Sequence, residues 1–580
     1  MIAKNDKAIG NWLADIEDGF LCLPRFQRLE VWKERMVCQF LKTLISDIKT
    51  PVGIFLVLKT SSSKPAFPLR TIGGARSPSK KCNALLLDGQ QRLSALWRAL
   101  HDKDEKFRYF AEFNNQFKIE AIRAVKRDSK TDQRLGQNPT AQYRKHYFPV
   151  NLLNPLSEEG KVDGWLQDLN LQKLQIKSYS SIKKLIVDTR KIFSRRQQKG
   201  KIIPYFLLGD NVDRKTAVNV YKDINTNSVK LSDYYIAVAK MEEEVEKSPY
   251  DMAKRLIRKV PEIEKLESDE IGELILKVSC VLQDKAPSGG NCKSLIFTDV
   301  VKDESKIFNG IQWSVDKLRE LQIWYGNQLP SLVPLRVLPA LHHCIEQSGP
   351  KRALADEIIE RYLWHSFLTN RYDRQANNKL KVDHDHLKMF LGGKLEWTRR
   401  KRDTIIFNKE ENPHPSQSDI KKVGWAESGG ILSRGILLVC CQEGARTLTG
   451  NEKLTSDNYE GREKHHIFPK SKLKEEVGHP GNCALNCLLV PMKDNRKYSD
   501  ELPGDYMKKL FEDIGQMRLP EVKVTDRLET HLISIGMTEI LVGTTQDALG
   551  NGKRTLKNAY EDFIDGRAYD VEAKIKELLR

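Results

Sequence analysis

The stretch ALLLDGQQRLSALWRAL, residues 84–100, does most to limit what this chain can fold into. Ala84 to Leu87 are continuously apolar, the pattern of a strand buried on both faces. Leu93, Leu96, Trp97 and Leu100 recur at the spacing of one helix face. Only Asp88 and Gly89 lie between, so strand must become helix within one sharp turn, which glycine permits. A strand that feeds straight into a helix predicts an α/β layer. The neighbouring segments agree. Met36, Phe40, Leu44 and Ile48, with Val37, Leu41 and Ile45 beside them, predict an amphipathic helix. VGIFLVL (52–58) and IIPYFLL (202–208) predict short buried strands. A helix starting near Asp213 and carrying Val218, Tyr221 and Ile224 is expected to stop at Asn-Thr-Asn-Ser, and Ser232 to cap the next helix.

With 580 residues the chain exceeds one typical core. Residues 118–200 are polar and basic and predict several short helices. Residues 246–420 read mostly as helices, such as 267–284, 314–324 and 352–368. The basic TRRKR (398–402) and polar NKEENPHPSQSD (408–419) predict a boundary. The expected organisation is therefore an N-terminal α/β domain over 1–245, a helical connector over 246–420 and a compact α+β domain over 421–580, in all an α+β multidomain chain. Within the last, GILLVCC (435–441) suits a buried strand.

A net charge of +18 favours a polyanionic partner, most simply nucleic acid. No apolar run approaches the ~20 residues that span a bilayer, so no membrane association is expected. The charged N-terminus is no signal peptide, and a cytoplasmic protein is expected. Ten cysteines make no disulfide scaffold. The pairs Cys440–Cys441 and Cys483/Cys487 lack C-x-x-C spacing and read as core residues, with a joined zinc site the weaker alternative. His384 and His386 in VDHDH read as a polar helix start. There is no Walker A motif, because Asp547 stands where the first glycine before Gly552-Lys553 should be.

Two constellations carry chemistry. In the first, LPRFQR, LLLDGQQR and VYKDINTNSVKLS each place charged or amide groups where an element stops, so they can converge on one cleft. Asp88 can hold a cation, Gln90 and Gln91 can orient water, and Arg25, Arg28 and Arg92 can cradle phosphates. The second runs from Lys464 to Met507: an apolar piece after His466 closed by Pro469, a second apolar piece LNCLLV (485–490), then KDNRKYSD opening a helix. Its expected order is strand, loop, strand, helix. Phosphodiester hydrolysis needs an activated water, a divalent cation and a basic grip on phosphate. A histidine, a carboxamide and arginine or lysine supply these.

HHIFP, LN and DNRK, with the trailing SDELP, resemble the HNH, or ββα-metal, nuclease motif. That resemblance implies His466 as general base, Asn486 as the residue that orients it, His465 and Asn495 as ligands of Mg²⁺ or Mn²⁺, and Arg496 or Lys497 on the DNA phosphate. His465 stands where an acidic residue is usual. The first constellation resembles the N-terminal domain of the GmrSD-type, modification-dependent (type IV) restriction proteins, which is similar to the ParB/sulfiredoxin fold. Asp88 to Arg92 match its DGQQR signature and Pro24 to Arg28 its proline–x–x–Gln-Arg element, while Asn227 and Ser228 stand where a glycine is usual. This resemblance implies that Arg25, Gln27, Arg28, Asp88, Gly89, Gln91, Arg92 and Asn225 bind a nucleoside triphosphate (GTP, ATP or CTP), with Asp88, Gln90, Gln91 and Arg92 assisting its hydrolysis. Both motif sets, in this order, are also similar to phosphorothioate-sensing members of the group. The implied protein restricts phage DNA, modified DNA being its partner and cue. A nucleotide-gated DNA-binding regulator with an inactive HNH domain, and an RNA-directed HNH toxin, are the alternatives. Whether the chain works as a homo-oligomer is open.

Overall fold

A computed structural model describes the chain apart from residues 1, 28–31, 47–52, 62–64, 76–81, 159, 170–175, 195–200, 210–211, 214–215, 218, 221–232, 267, 324–328, 349–351, 398–403, 426–429, 449–451, 456–457, 459–461, 479–480, 499, 517–523 and 551–554. The expected Asn-Thr-Asn-Ser turn, Tyr221, Ile224 and the Ser232 cap thus lie outside the described residues. The chain divides into two compact units, Met1–Lys247 and Ser248–Arg580, so the helical middle and the C-terminal segment share one unit.

In the first unit the strands are β1 (Ile2–Ala8), β2 (Leu21–Pro24), β3 (Phe55–Lys59), β4 (Leu69–Arg70), β5 (Ala84–Asp88), β6 (Phe107–Phe113), β7 (Ile119–Lys126), β8 (Tyr147–Pro149) and β9 (Ile202–Leu208). Six form a mixed sheet in the order β1-β9-β3-β5-β2-β4, and β7-β6-β8 form a second, antiparallel sheet. Helices α1 (Ile9–Glu17), α2 (Glu34–Ser46) and α3 (Gln90–His101) belong to the same unit. On α3 the face Leu93, Leu96, Trp97 and Leu100 is buried in one core with Leu23, Val57 and Leu86. Each such side chain contributes about 1.5–3 kcal/mol on burial. The strand–turn–helix expected from residues 84–100 is present.

Strand β1 is not among the expected strands, because three of the seven residues of IAKNDKA are charged and a fourth is Asn5. Its place explains the composition: it is the outer strand of the sheet, paired on one side with β9, and charged residues protect such edges. Lys7 pairs with Asp15 of α1 and lies 4.7 Å over the Trp12 ring. In 118–200 short helices are indeed found, but β7 precedes them and β8 interrupts them.

The second unit is helical around one small hairpin. Ile431–Gln442 is a helix, α4, and not the expected strand. Ile436, Leu437, Leu438, Val439 and Cys440 are all buried, and a helix buried all round shows no amphipathic stripe to separate it from a strand. Its close approach to the helix Arg352–Leu368 needs Gly435, where a Cβ would sit 2.9 Å from the Phe367 carbonyl oxygen. His384 and His386 lie inside the helix Ala376–Leu391 rather than at its start. Asp383 beside them does not cap a helix, for it takes two bonds from Arg371, at 2.7 and 3.1 Å, and one from the Tyr372 hydroxyl at 2.7 Å.

The hairpin joins β10 (Arg462–His466) and β11 (Cys487–Pro491), antiparallel, with His465 opposite Leu488 and His466 opposite Cys487. Helix α5 (Lys470–Glu476) lies between the strands, α6 (Met492–Tyr498) follows them, and α7 (Leu556–Leu578) packs beneath. The first strand ends at His466, so the apolar Ile467 and Phe468 form a buried turn instead of a strand. Asn486 makes that turn affordable: its side chain bonds the Phe468 N–H and carbonyl, and its own carbonyl takes the Ile467 N–H.

Candidate active sites

Sheet order brings the N-terminal motif together. β2 runs parallel to β5 and β3 antiparallel to it, so the carboxyl ends of β2 and β5 and the amino end of β3 share one sheet edge. Arg25 and Gln27, Asp88 to Arg92, and Gly53 to Phe55 lie along that edge. Gly89 has φ 101° and a Cβ there would stand 2.2 Å from the Phe55 ring, so only glycine makes this turn. The N-cap of α3 is Gly89, which brings no side chain to the helix start. A helix N-terminus suits an anion.

The Arg92 guanidinium bonds the Ile54 carbonyl at 3.0 Å and Asp88 at 3.4 Å, and stacks 5.1 Å over Phe55. Burial lowers its pKa, against the pull of Asp88. Gln91 accepts a bond from the Trp32 N–H at 3.3 Å. Gln27 is 1% exposed and its amide nitrogen bonds the Leu86 and Leu87 carbonyls at 2.5 and 2.8 Å. That side chain ties the residues after β2 to β5, while its amide oxygen is buried without a hydrogen-bond partner. Gln90 is buried too, whereas Arg25, Asp88, Gln91 and Arg92 keep partial exposure. Arg28 and Asn225 lie outside the described residues.

On the hairpin, His465 Nδ1 lies 2.9 Å from Asn495 Oδ1, and Asn495 Nδ2 donates to Glu463 at 2.7 Å. His466 Nε2 lies 2.9 Å from Asn482 Oδ1. The amide oxygen only accepts, so Nε2 carries the proton and Nδ1 keeps the lone pair. Trp425 stacks on the His466 ring at 3.9 Å and 5°. Burial lowers the His466 pKa, Asn482 opposes this, and Lys470 adds to it. At neutral pH the ring is therefore an uncharged base. Asn486, expected to orient it, acts one step back: it shapes the backbone beyond His466 while Asn482 touches the ring. Arg496 is exposed on α6, and the Lys497 side chain lies outside the described residues.

Glu463, Asn482 and Trp425 were missing from the sequence reading. Glu463 was within reach, being two residues before His465 on a strand, hence on the same face. Trp425 carried no signal; the bridge between Gly424 and Cys483 brings it in.

Among the described residues no group of three His, Cys, Asp or Glu side chains is placed to hold a metal. Cys440 and Cys483 point to the His531 carbonyl and the Tyr560 hydroxyl, as core cysteines do. Because an amide oxygen only accepts, His465 Nδ1 donates to Asn495 Oδ1 here; with that proton lost, His465 and Asn495 would suit a hard cation that keeps most of its waters. Two donors about 2.1 Å from one octahedral ion stand about 3 Å apart, close to their separation. No described helix is long and apolar enough to cross a membrane.

The DGQQR turn lies at one end of the mixed sheet, within the part of the chain that is similar to a known family. Residues 9–241 match the family of the GmrSD restriction endonuclease N-terminal domain. Along almost its full length it is similar to a relative from Methanocaldococcus jannaschii, "Uncharacterized protein MJ0686", with 21% identity over 609 aligned positions and 97% of each chain covered.

Proposed function

We propose that this chain is a DNA-restricting enzyme in which a nucleotide-hydrolysing N-terminal domain controls an HNH nuclease at residues 421–580. The observation that carries the nuclease reading is the hairpin itself: β10, β11 and α6 hold His465, His466 and Asn495 in the order and packing that a ββα site requires. His466 Nδ1 takes the proton of the attacking water, and Asn482 and Trp425 keep the ring in that tautomer and plane. His465 and Asn495 hold Mg²⁺ or Mn²⁺, which when bound stabilises the charge that develops on the phosphate. Arg496, exposed on α6, grips the DNA backbone. Water attacks phosphorus, one P–O ester bond breaks, and the strand is nicked.

At the N-terminal edge, Arg25, Arg92 and the start of α3 receive the nucleotide phosphates, and Asp88 assists hydrolysis. Modified phage DNA is the substrate that the restriction family suggests, and nucleotide turnover is the control. Supercoiled plasmid, modified and unmodified, incubated with Mn²⁺ or Mg²⁺ and with each nucleotide tests this. Metal-dependent nicking that changes with nucleotide is expected. No nicking under any condition would leave a DNA-binding regulator, and cleavage of RNA alone a toxin. Arg92→Ala should stop hydrolysis and alter nicking, whereas His466→Ala should stop nicking and leave hydrolysis running.

A further inference from the structure

We infer that Glu463 is a positioning residue: its carboxylate fixes the Asn495 amide with its oxygen toward His465, and so makes that side chain a cation donor. The inference rests on the metal-site reading above and extends it by one residue. A carboxamide is nearly symmetric in shape, and its oxygen and nitrogen exchange places on a half-turn. Only the oxygen can ligate a hard cation. What decides between the two orientations is the partner on the far side.

That partner is Glu463. Alternation along β10 puts Glu463 and His465 on one face, with Lys464 on the other. Asn495, on α6, inserts its amide between them: Nδ2 donates to Glu463 Oε2 at 2.7 Å, and Oδ1 faces His465 Nδ1 at 2.9 Å. An ionised carboxylate accepts hydrogen bonds and donates none. The reversed amide would set two oxygens against each other at Glu463 and turn its NH₂ toward the cation position. Glu463 also brings a negative charge to a site where His465 replaces the usual acid. Such outer partners commonly govern metal affinity by about 10- to 100-fold.

The experiment is a Mn²⁺ titration of the full chain by calorimetry, with thermal unfolding as a check on folding. Glu463→Gln should weaken Mn²⁺ binding by about 10- to 100-fold, and Glu463→Asp, which keeps an accepting carboxylate, should lose less. Asn495→Asp has two equivalent oxygens and needs no orienting, so in that background Glu463→Gln should change Mn²⁺ binding by less than about threefold. Glu463→Gln binding like wild type while His465→Ala loses Mn²⁺ would overturn the inference alone. An equal loss in both backgrounds would do the same, showing a mere tie between β10 and α6. Mn²⁺ binding unchanged in both His465→Ala and Asn495→Ala would instead remove the metal-site reading and this inference with it.

Discussion

The two sites use their polar side chains in opposite ways. At the N-terminal sheet edge they bond to backbone: Gln27 to the Leu86 and Leu87 carbonyls, Arg92 to Ile54, Gln91 to the Trp32 N–H. Around the two histidines of the hairpin they bond to one another, Glu463 to Asn495 to His465 and Asn482 to His466, while Asn486 bonds backbone. Bonds from side chain to backbone hold strands in place, and at Gln27 removing them takes the donor from two buried carbonyls. Bonds between side chains set tautomers and amide orientation, which a fold survives losing. The difference teaches that matching a motif does not say which of its residues face a ligand. The DGQQR edge mixes both kinds, and the Gln27 amide nitrogen is committed to backbone.

The largest expected effect tests the hairpin half of the comparison. His466→Ala should lower nicking by about 10²- to 10⁴-fold, the usual worth of a general base, with unfolding by heat or urea unchanged. Loss of stability on a comparable scale would erase the contrast. Acid supplies the next. Burial pushes His531 down to about 4 and, with the neighbouring positive charge of Arg361 and His414, His365 down to about 3. The unfolded chain takes up these protons near pH 6.5 and the folded one only at those lower values. Stability is therefore complete above pH 6.5 and falls as pH drops toward 4, by about 3 kcal/mol for His531 alone. Urea unfolding at pH 7 and pH 4.5 followed on Ser248–Arg580 signals measures it; equal midpoints would show that both rings are already solvated.

Smaller effects probe the N-terminal edge. Gln27→Ala should destabilise Met1–Lys247 by about 1–3 kcal/mol, because two carbonyls lose their donor in a buried place, while leaving nucleotide affinity nearly intact in the protein that remains folded. A specific loss of affinity at unchanged stability would move Gln27 to the ligand side. Gly89→Ala, strained by its φ and by Phe55, should cost a similar amount. The smallest is Asn482→Ala, expected to reduce nicking by about tenfold at constant stability, the upper end of what a lost charge-neutral hydrogen bond gives. An unchanged rate would mean that Trp425 alone holds the ring.

Why some of this was legible follows from how local each signal is. The passage from Leu87 through Gly89 to Leu93 is decided by five or six neighbouring residues, and it reads correctly. The pairing of His465 with Asn495 also follows from order, since a strand, a return strand and a helix bring positions 465 and 495 together. GILLVCC failed because burial on all sides removes periodicity, and IAKNDKA failed because an edge strand needs no apolar alternation. Asn482 and Trp425 failed for a third reason. Each reaches His466 through a contact that no repeat, cap or spacing encodes.

Arg567 gives the hairpin a dependence that its motif conceals. The guanidinium, 1% exposed on α7, donates to the Leu485, Cys487 and His531 carbonyls at 2.5, 3.0 and 3.0 Å. The first two flank Asn486, the residue that shapes the turn after His466. The ββα segment is therefore no portable cassette. Transplanted as residues 462–498 it would leave its own keystone behind, about seventy positions down the chain, and any design that borrows this hairpin must carry the last long helix with it.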